Sequence, residues 1–595
     1  MRKLVVATSR TLVTLTLVLC ACSSEEDGTP SGGNGGAGAN GGNGAGANGG
    51  AGASSEGGAG AGFQVGGGGS GPCGTQCSAD LHDILDCNGQ VIETCPDDLG
   101  CGPDGTCIPA CGAADAFDST LGCEYYAQPT VFGCYAVAIA NTWSSPVSLS
   151  VEMGGVPVDV GGFARIPSGN GQSITYEPLP GGMLPPQEVA LLFLSNPGTF
   201  PCPGGVSAPT NGTEVRFHIE SSAPVVAYDI APYGGGASAV TSASLLIPTS
   251  AWDTNYVAVA PYPYGPNSQS PRLTIVASED GTTVTISPTA NIASGYIDNM
   301  PVVGTSQGVP VTYNLSKGQA LWFEQQTELT GSPIESNKPV GVIGSSGCIN
   351  IDSCCCDGAH QAIPPVRALG SEYVAVRYRN RVDGVEESPP WRIVGAIDGT
   401  VLTYEPAAPP GAPTMLSSGE VVEFRASGPF VVRSQDADHP IYLAGYMTGG
   451  MDFDDRGDPE FVNVIPARQY LDSYVFFADP TYPETNLVLV RGKAADGTFK
   501  DVTLDCAGVI DGWQPIGAGD YEYTRFDLVR DNFVMQGTCD NGRREISSDA
   551  PFGLTVWGWG SAATEPFVST YVSYAYPGGA SIQPINNVVV PPIPR

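Results

Sequence analysis

Positive charge is scarce in this 595-residue chain: 25 lysines and arginines face 60 aspartates and glutamates, a formal net charge of −35. A phosphate backbone would be repelled, which argues against nucleic-acid binding. Histidine is scarcer still: only His82, His218, His360 and His439 are present, none in a catalytic motif. The sequence has no HExxH, no GxxxxGK and no EF-hand loop. Sixty acids leave room for a glycosidase-like carboxylate pair, but no spacing singles one out. Beyond the first two dozen residues, no apolar run approaches membrane-spanning length.

What is present starts with MRKLVVATSRTLVTLTLVLCAC. A basic start followed by a short apolar core reads as an export signal over residues 1–21. LCAC, with Cys22 last, resembles a bacterial lipobox, which implies acylation of Cys22; an ordinary secretory peptide is the plainer alternative. Ser23 after the cysteine points to the outer membrane of a bacterial envelope, with the lipid as the membrane partner. Residues 22–72 are mostly Gly, Ala, Asn and Ser. They have almost nothing to bury and read as a coil tether with a reach of roughly 40 Å.

Of eighteen cysteines, Cys20 leaves with the signal and Cys22 carries the lipid. The rest are disulfide candidates for an oxidising compartment: Cys73, Cys77, Cys87, Cys95, Cys101, Cys107, Cys111, Cys123, Cys134, Cys202, Cys348, Cys354, Cys355, Cys356, Cys506 and Cys539. Residues 73–121 form a Cys-rich segment that bridges must staple, because it is too short for a core of its own. Zinc on the short C-x-C spacings is the competing reading.

The body repeats itself. SSAPVVAYDIAP, SNKPVGVIGSSG, ADHPIYLAGYMT and SDAPFGLTVWGW place Pro224, Pro339, Pro440 and Pro551 at steps of 115, 101 and 111 residues. A P-x7-YV opener recurs at Pro248/Tyr256, Pro365/Tyr373 and Pro466/Tyr474. A DGT turn recurs at Asp280, Asp398 and Asp496. The shared order and period define an internal repeat: units 122–247, 248–364, 365–465 and 466–576, then a tail, 577–595. Within a unit, RLTIVASEDGTTVTISP, VTYNLSKGQALWFE and SPIESNKPVGVIG predict three hairpins in about seven short strands. The doubly apolar PV-type strands should be central ones. The fold class is all-β antiparallel. A closed propeller-like ring with two blades per repeat is favoured over tandem β-sandwiches. The first unit lacks the P-x7-YV opener, and a Tyr571-Val572 strand after the last unit would close the ring.

ASLLIPTSAWDTNYVAVAPYP, VASEDGTTVTISP, LTGSPIESNKPVGVIGSSGC and GDPEFVNVIPARQYLDSYVF resemble the N-terminal domain of IgG-Fc-binding protein, over roughly Gly122 to Tyr576. The resemblance implies a non-enzymatic, extracellular binding role. No residues for IgG binding can be placed from it.

Two clusters stand out. CINIDSCCCDGAH (Cys348–His360) suits zinc, or more plainly two disulfides knitting a loop. MDFDDRGDPE offers Asp452, Asp454, Asp455, Asp458 and Glu460 as oxygen ligands for calcium, although acidic loops on an acidic protein are usually just solvated and no cofactor is the plainer expectation. Its Arg456-Gly457-Asp458 is too short a match to support integrin binding. The reading is a surface-anchored, non-enzymatic recognition or adhesion module for a glycan, matrix or cell-surface protein ligand. An exported hydrolase with its site at a propeller mouth and a structural envelope component are the alternatives. No oligomeric state follows from the sequence.

Overall fold

The computed structural model describes residues 74–86, 89–129, 134–195, 216–234, 240–353, 356–561 and 570–594. The signal, Cys22 and the tether lie outside the described residues, as do Cys73, Cys87, Cys202, Cys354 and Cys355.

The Cys-rich segment is a three-stranded sheet (Gln76–Cys77, Asp83–Leu85, Val91–Thr94), a small ladder (Leu99–Cys101 with Cys107–Pro109) and one helix, Ala110–Phe117. The helix is alanine-rich and buries Ala110, Ala113, Ala114 and Phe117, an i, i+3, i+4, i+7 stripe. Disulfides Cys77–Cys101 and Cys95–Cys107 hold the segment, and Cys111–Cys123 ties it to the first repeat. Cys506–Cys539 lies in the fourth repeat, and Cys134 is disulfide-bonded too.

Each repeat is organised on a long spine strand containing the PV-type phrase. The spines are Phe217–Ala231, Pro333–Ile349 and Gly542–Trp559; in the third repeat the spine breaks into Phe430–Ser434 and Ile441–Met447. The spine is central, as its apolar faces require. Its first half pairs with the opener and with the strand after the DGT turn. Its second half pairs with the strand before that turn and with a closing strand. In the third repeat these halves are two separate four-stranded sheets.

Two expectations are corrected by these pairings. The chain does not fold back as a hairpin at Asp280-Gly281: Arg272–Ala277 and Thr282–Ile286 pair with different halves of the spine. The SKGQ turn likewise connects Val311–Leu315 and Ala320–Glu324, which pair with different strands, and SPIESNKPVGVIG is one continuous strand. Gly281 still takes φ +70°, which suits glycine, but it turns a corner between layers. Hydrophobic alternation alone does not distinguish such a corner from a hairpin. Nor do the sheets form two propeller blades per repeat: each repeat is one curled, two-layered unit about its spine, closer to the sandwich alternative.

The first repeat does have an opener, Leu121–Ala127, paired to its spine with Gly122 opposite Val225. Asp253, Gly370 and Leu471 stand opposite Val340, Ile441 and Phe552 in the same way. Three residues on, each opener has a buried tyrosine. Tyr125, Tyr256 and Tyr373 donate to the carbonyls of Val225, Val340 and Ile441 at 2.6, 2.7 and 2.5 Å. Tyr474 does the same to Phe552. Each phenol oxygen also accepts from the opener's own backbone, at the amides of Gly122, Asp253, Gly370 and Leu471. Burial pushes all four phenols well above their ordinary pKa. These clasps fix the corner between opener and spine, like the tyrosine corner of immunoglobulin-type sandwiches.

The strand at Tyr571-Val572 is not a late opener. Ser573–Pro577 hairpins onto its own spine as the fourth closing strand. The other closers are Ser242–Leu245, Asp357–Ala362 and Glu460–Asn463. All four keep one register: the residue four past the spine proline faces Leu245, Ala362, Asn463 and Pro577 in turn. The closers touch one another in cyclic order, first to second, second to third, third to fourth, fourth to first. At their centre the buried Gln361 amide donates to the carbonyls of Ala243, Phe461 and Ala575 at 2.9, 3.1 and 3.1 Å. One side chain thereby bonds to all three other repeats. The tail runs back beneath them. Ala580 accepts from Thr120, Ser581 donates to Gln469, Asn586 donates to Val366 and Leu369, and Val590 donates to Asn255.

Candidate binding cavity at the seam of the first and last repeats

A cavity of about 330 Å³ opens where the first repeat, the fourth repeat and the Cys-rich segment meet. That size sits at the lower end of the range for small-ligand sites. Its walls come from the turn at Asp80, the stretch Ser119–Leu121, the loop at Gln187, the fourth opener with Asp472 and Ser473, Glu545 on the fourth spine, and Gly578-Gly579.

The walls are held by groups with their own partners. Asp80 accepts from the Ser78 hydroxyl at 2.5 Å and from the His82 amide at 3.2 Å. The fully buried Trp143 donates from Nε1 to the Asp80 carbonyl at 3.0 Å, and His82 stacks on its ring at 4.4 Å. Tyr228 donates to the carbonyls of Val475 and Gly578 at 2.8 and 2.7 Å, joining the first spine to the fourth opener and to the start of the tail. Gln187 adopts φ +57°, a conformation that non-glycine residues seldom take.

The charge on the lining is one-sided: Asp80, Asp472 and Glu545 contribute carboxylates, and no lining residue is cationic. Glu545 is neutralised in part by Arg543 beside it. Burial raises the pKa of Asp472, and no neighbouring cation offsets it. The cavity is therefore an acceptor-rich pocket, suited to a ligand that brings hydrogen-bond donors, such as sugar hydroxyls or an ammonium or guanidinium group.

The acidic run of the third repeat is divided. Asp452, Asp454 and Asp455 face solvent, whereas Asp458 and Glu460 are buried. Asp458 lies inside, so Arg456-Gly457-Asp458 is not displayed as a recognition tripeptide. Neither Asp458 oxygen has a hydrogen-bond partner, and Glu460 bonds through one oxygen only. Burial pushes both carboxyls, and that of Asp357, well above the ordinary range; Asp458 and Glu460 raise Asp357 further. In the loop Cys348–His360, Cys348 pairs with Cys356 in a disulfide. His360 is turned inward, with Nε2 2.8 Å from Asp229, which also accepts from the Tyr135 hydroxyl at 2.8 Å. Among the described residues, one group brings three or more potential metal ligands within 4.8 Å of one another: Glu124, His218 and Glu220, on the first repeat. The cavity leaves no trace in the sequence, because its residues span positions 79 to 579 and meet only at the seam.

A disulfide-stapled, all-β repeat body with a polar pocket between its parts defines a structural class suited to an oxidising compartment. Comparison with known proteins specifies the class. The family described as IgGFc binding protein matches residues 242–558, more than half of the chain, and the chain belongs to that family. The human IgGFc-binding protein is 24% identical over 292 residues, covering 48% of this chain and 5% of that protein. The chain thus spans a small part of that relative's length. The family match begins at the first closing strand and takes in the spines and openers of the second, third and fourth repeats.

Proposed function

We propose that this protein is a non-enzymatic recognition module, tethered to a bacterial envelope through acylated Cys22, that binds an extracellular glycan or protein ligand in the seam cavity. The observation that carries the reading is the acceptor-rich cavity on a body of the IgGFc-binding family. Asp80 is tied to the first repeat by Trp143, and the opener that carries Asp472 is tied to the first spine by Tyr228, so the two acidic residues line one preformed pocket. A pocket that needs no large rearrangement to close loses little entropy on binding. The test is a screen of the purified full-length protein on arrays of glycans and cell-surface proteins, followed by D80N and D472N on any ligand found. Loss of affinity of tenfold or more with an unchanged melting temperature supports the cavity. Undiminished binding by both variants refutes it.

Mass spectrometry of the mature N-terminus tests the anchor: a diacyl or triacyl mass on Cys22 supports it, and an unmodified terminus elsewhere does not. The calcium reading of Asp452–Glu460 is tested alongside, since binding that survives chelation argues against a calcium-dependent ligand site. One observation favours a hydrolase as the second reading: the raised pKa of Asp472 in a cavity shared with other carboxylates. It requires a bound glycan to be cleaved, and D472N to abolish cleavage while leaving binding measurable.

A further inference from the structure

A second polar constellation lies on the outer face of the first repeat, independent of the cavity. Three adjacent strands carry it. His218 and Glu220 are on the spine, Glu124 is on the opener, and Glu152 is on Val147–Met153. The registers put these side chains on one face: His218 stands opposite Tyr126 and Glu152, and Glu220 stands opposite Glu124. Residues two apart on a strand project from the same side, so H-x-E on the spine and E-x-Y on the opener form one patch.

The details are those of a metal site. His218 Nε2 lies 2.6 Å from Glu124 Oε1 and 3.8 Å from Glu220 Oε1. Ligand atoms about 2.0–2.1 Å from a tetrahedral zinc are about 3.3 Å apart, within the range these two distances bracket. The second oxygen of each glutamate is held by a hydroxyl. Thr249 donates to Glu124 Oε2 at 2.7 Å, and Ser150 donates to Glu220 Oε2 at 3.3 Å. The free oxygens are thereby turned toward the imidazole. On the far side of the ring, Nδ1 lies 3.4 Å from Glu152 Oε2. A ligating histidine commonly gives its other N–H to a carboxylate, which fixes the tautomer.

Two further observations mark a built site. His218 and Tyr126 are each 7% exposed, and their rings stack at 4.7 Å, so the imidazole has little freedom to turn. The Tyr126 hydroxyl is buried without a hydrogen-bond partner and lies in the field of Glu124, Glu152 and Glu220. Glu220 has a side chain 55% exposed, which leaves a path for an ion from solvent.

We propose that Glu124, His218 and Glu220 bind a divalent transition-metal ion of the zinc type, with Glu152 orienting the histidine from behind. The nitrogen donor favours zinc over calcium or magnesium. Three protein ligands leave a fourth position open, where water or a donor atom from a bound partner fits.

The test is zinc binding by the purified full-length protein, stripped with chelator and kept oxidised so that thiols do not compete. Zn²⁺ alone is the probe, measured by equilibrium dialysis and elemental analysis, with Ca²⁺ in parallel. The proposal expects one equivalent of zinc, a higher melting temperature with zinc, and at least tenfold weaker binding in H218A and in E220Q. E220Q changes an exposed side chain and is expected to leave the fold intact if H218A does not. E152Q is expected to weaken binding by about 10- to 100-fold and to shift the visible absorption of bound Co²⁺, a change that general destabilisation would not cause. No stoichiometric zinc, or zinc retained undiminished by E220Q, overturns the assignment and leaves His218 as an ion-pair partner of its carboxylates.

Discussion

At the scale of single residues, most of the instructive groups are polar and buried. Each clasp tyrosine hydroxyl both donates and accepts inside the protein, so its removal leaves a buried carbonyl and a buried amide unpaired. Y373F is expected to cost about 1–3 kcal/mol in chemical denaturation, with no loss if the clasp is incidental. Asp479 is a different case. It is fully buried; its Oδ1 accepts from the Thr481 amide and hydroxyl, and its Oδ2 has no partner. Burial pushes its pKa from the ordinary 3.8 to about 6. The folded protein then holds this proton to higher pH than the unfolded chain. The effect is absent below about 4, and stability is lost as pH rises through 6. D479N keeps the acceptor toward Thr481 and removes the charge. It is expected to stabilise the protein by ~1–3 kcal/mol at pH 8 and to do little at pH 4; the reverse ordering would contradict this account of the carboxyl. The sequence makes Tyr256, Tyr373 and Tyr474 visible because each follows the same proline. Tyr125 was hidden, since a helix and the Cys111–Cys123 bridge stand where that proline would be. His218 was hidden for a related reason: apart from Glu220 on the same strand, its carboxylate neighbours are 94 and 66 residues away in sequence.

At the scale of elements, the second half of each spine was legible because it is apolar on both faces and follows a fixed proline, whereas the first half, which runs on through that proline in the first, second and fourth repeats, was not. Their neighbours were not. A DGT or SKGQ turn looks the same whether it joins paired strands or carries the chain between layers, and register settles the matter only in three dimensions. The hairpin between spine and closer recurs four times without a shared motif. It is recognised by register, with Leu245, Ala362, Asn463 and Pro577 at one position. The tail shows the same limit. Its sequence is a string of apolar residues and prolines, yet it hydrogen-bonds to residues of four repeats as a strap. Asn586 carries two of those bonds. N586A is expected to cost about 1–3 kcal/mol and to raise proteolysis of the last residues; an unchanged digestion pattern and stability would show the strap to be passive.

At the scale of the whole molecule, charge and burial act in one direction. Asp357, Asp458 and Glu460 have pKa values raised by burial, and Asp479 is held near 6. His218 is also raised: burial lowers it, but the hydrogen bond and charge of Glu124, with Glu220 and Glu152, outweigh that. For each of these groups the native state binds the proton more tightly, so stability falls as pH rises through its titration. The lowered groups, Glu124, Asp104, Asp436 and Asp496, act only below the ordinary carboxylate range. A net charge of −35 adds self-repulsion at higher pH. The melting temperature is therefore expected to be higher at pH 5 than at pH 8, by at least about 3 °C; a flat or rising profile would contradict these burials.

The same scale holds the central claim: four copies of one β unit share a core where their closing strands meet, and the seam beside it forms the pocket. Hydrogen–deuterium exchange of the wild type and of Q361A tests it most directly. The expected result is slow exchange shared by Ser242–Leu245, Asp357–Ala362, Glu460–Asn463 and Ser573–Pro577, with all four accelerated by the one substitution. Acceleration confined to the second repeat would mean that the units are separate beads and that the seam is no fixed site.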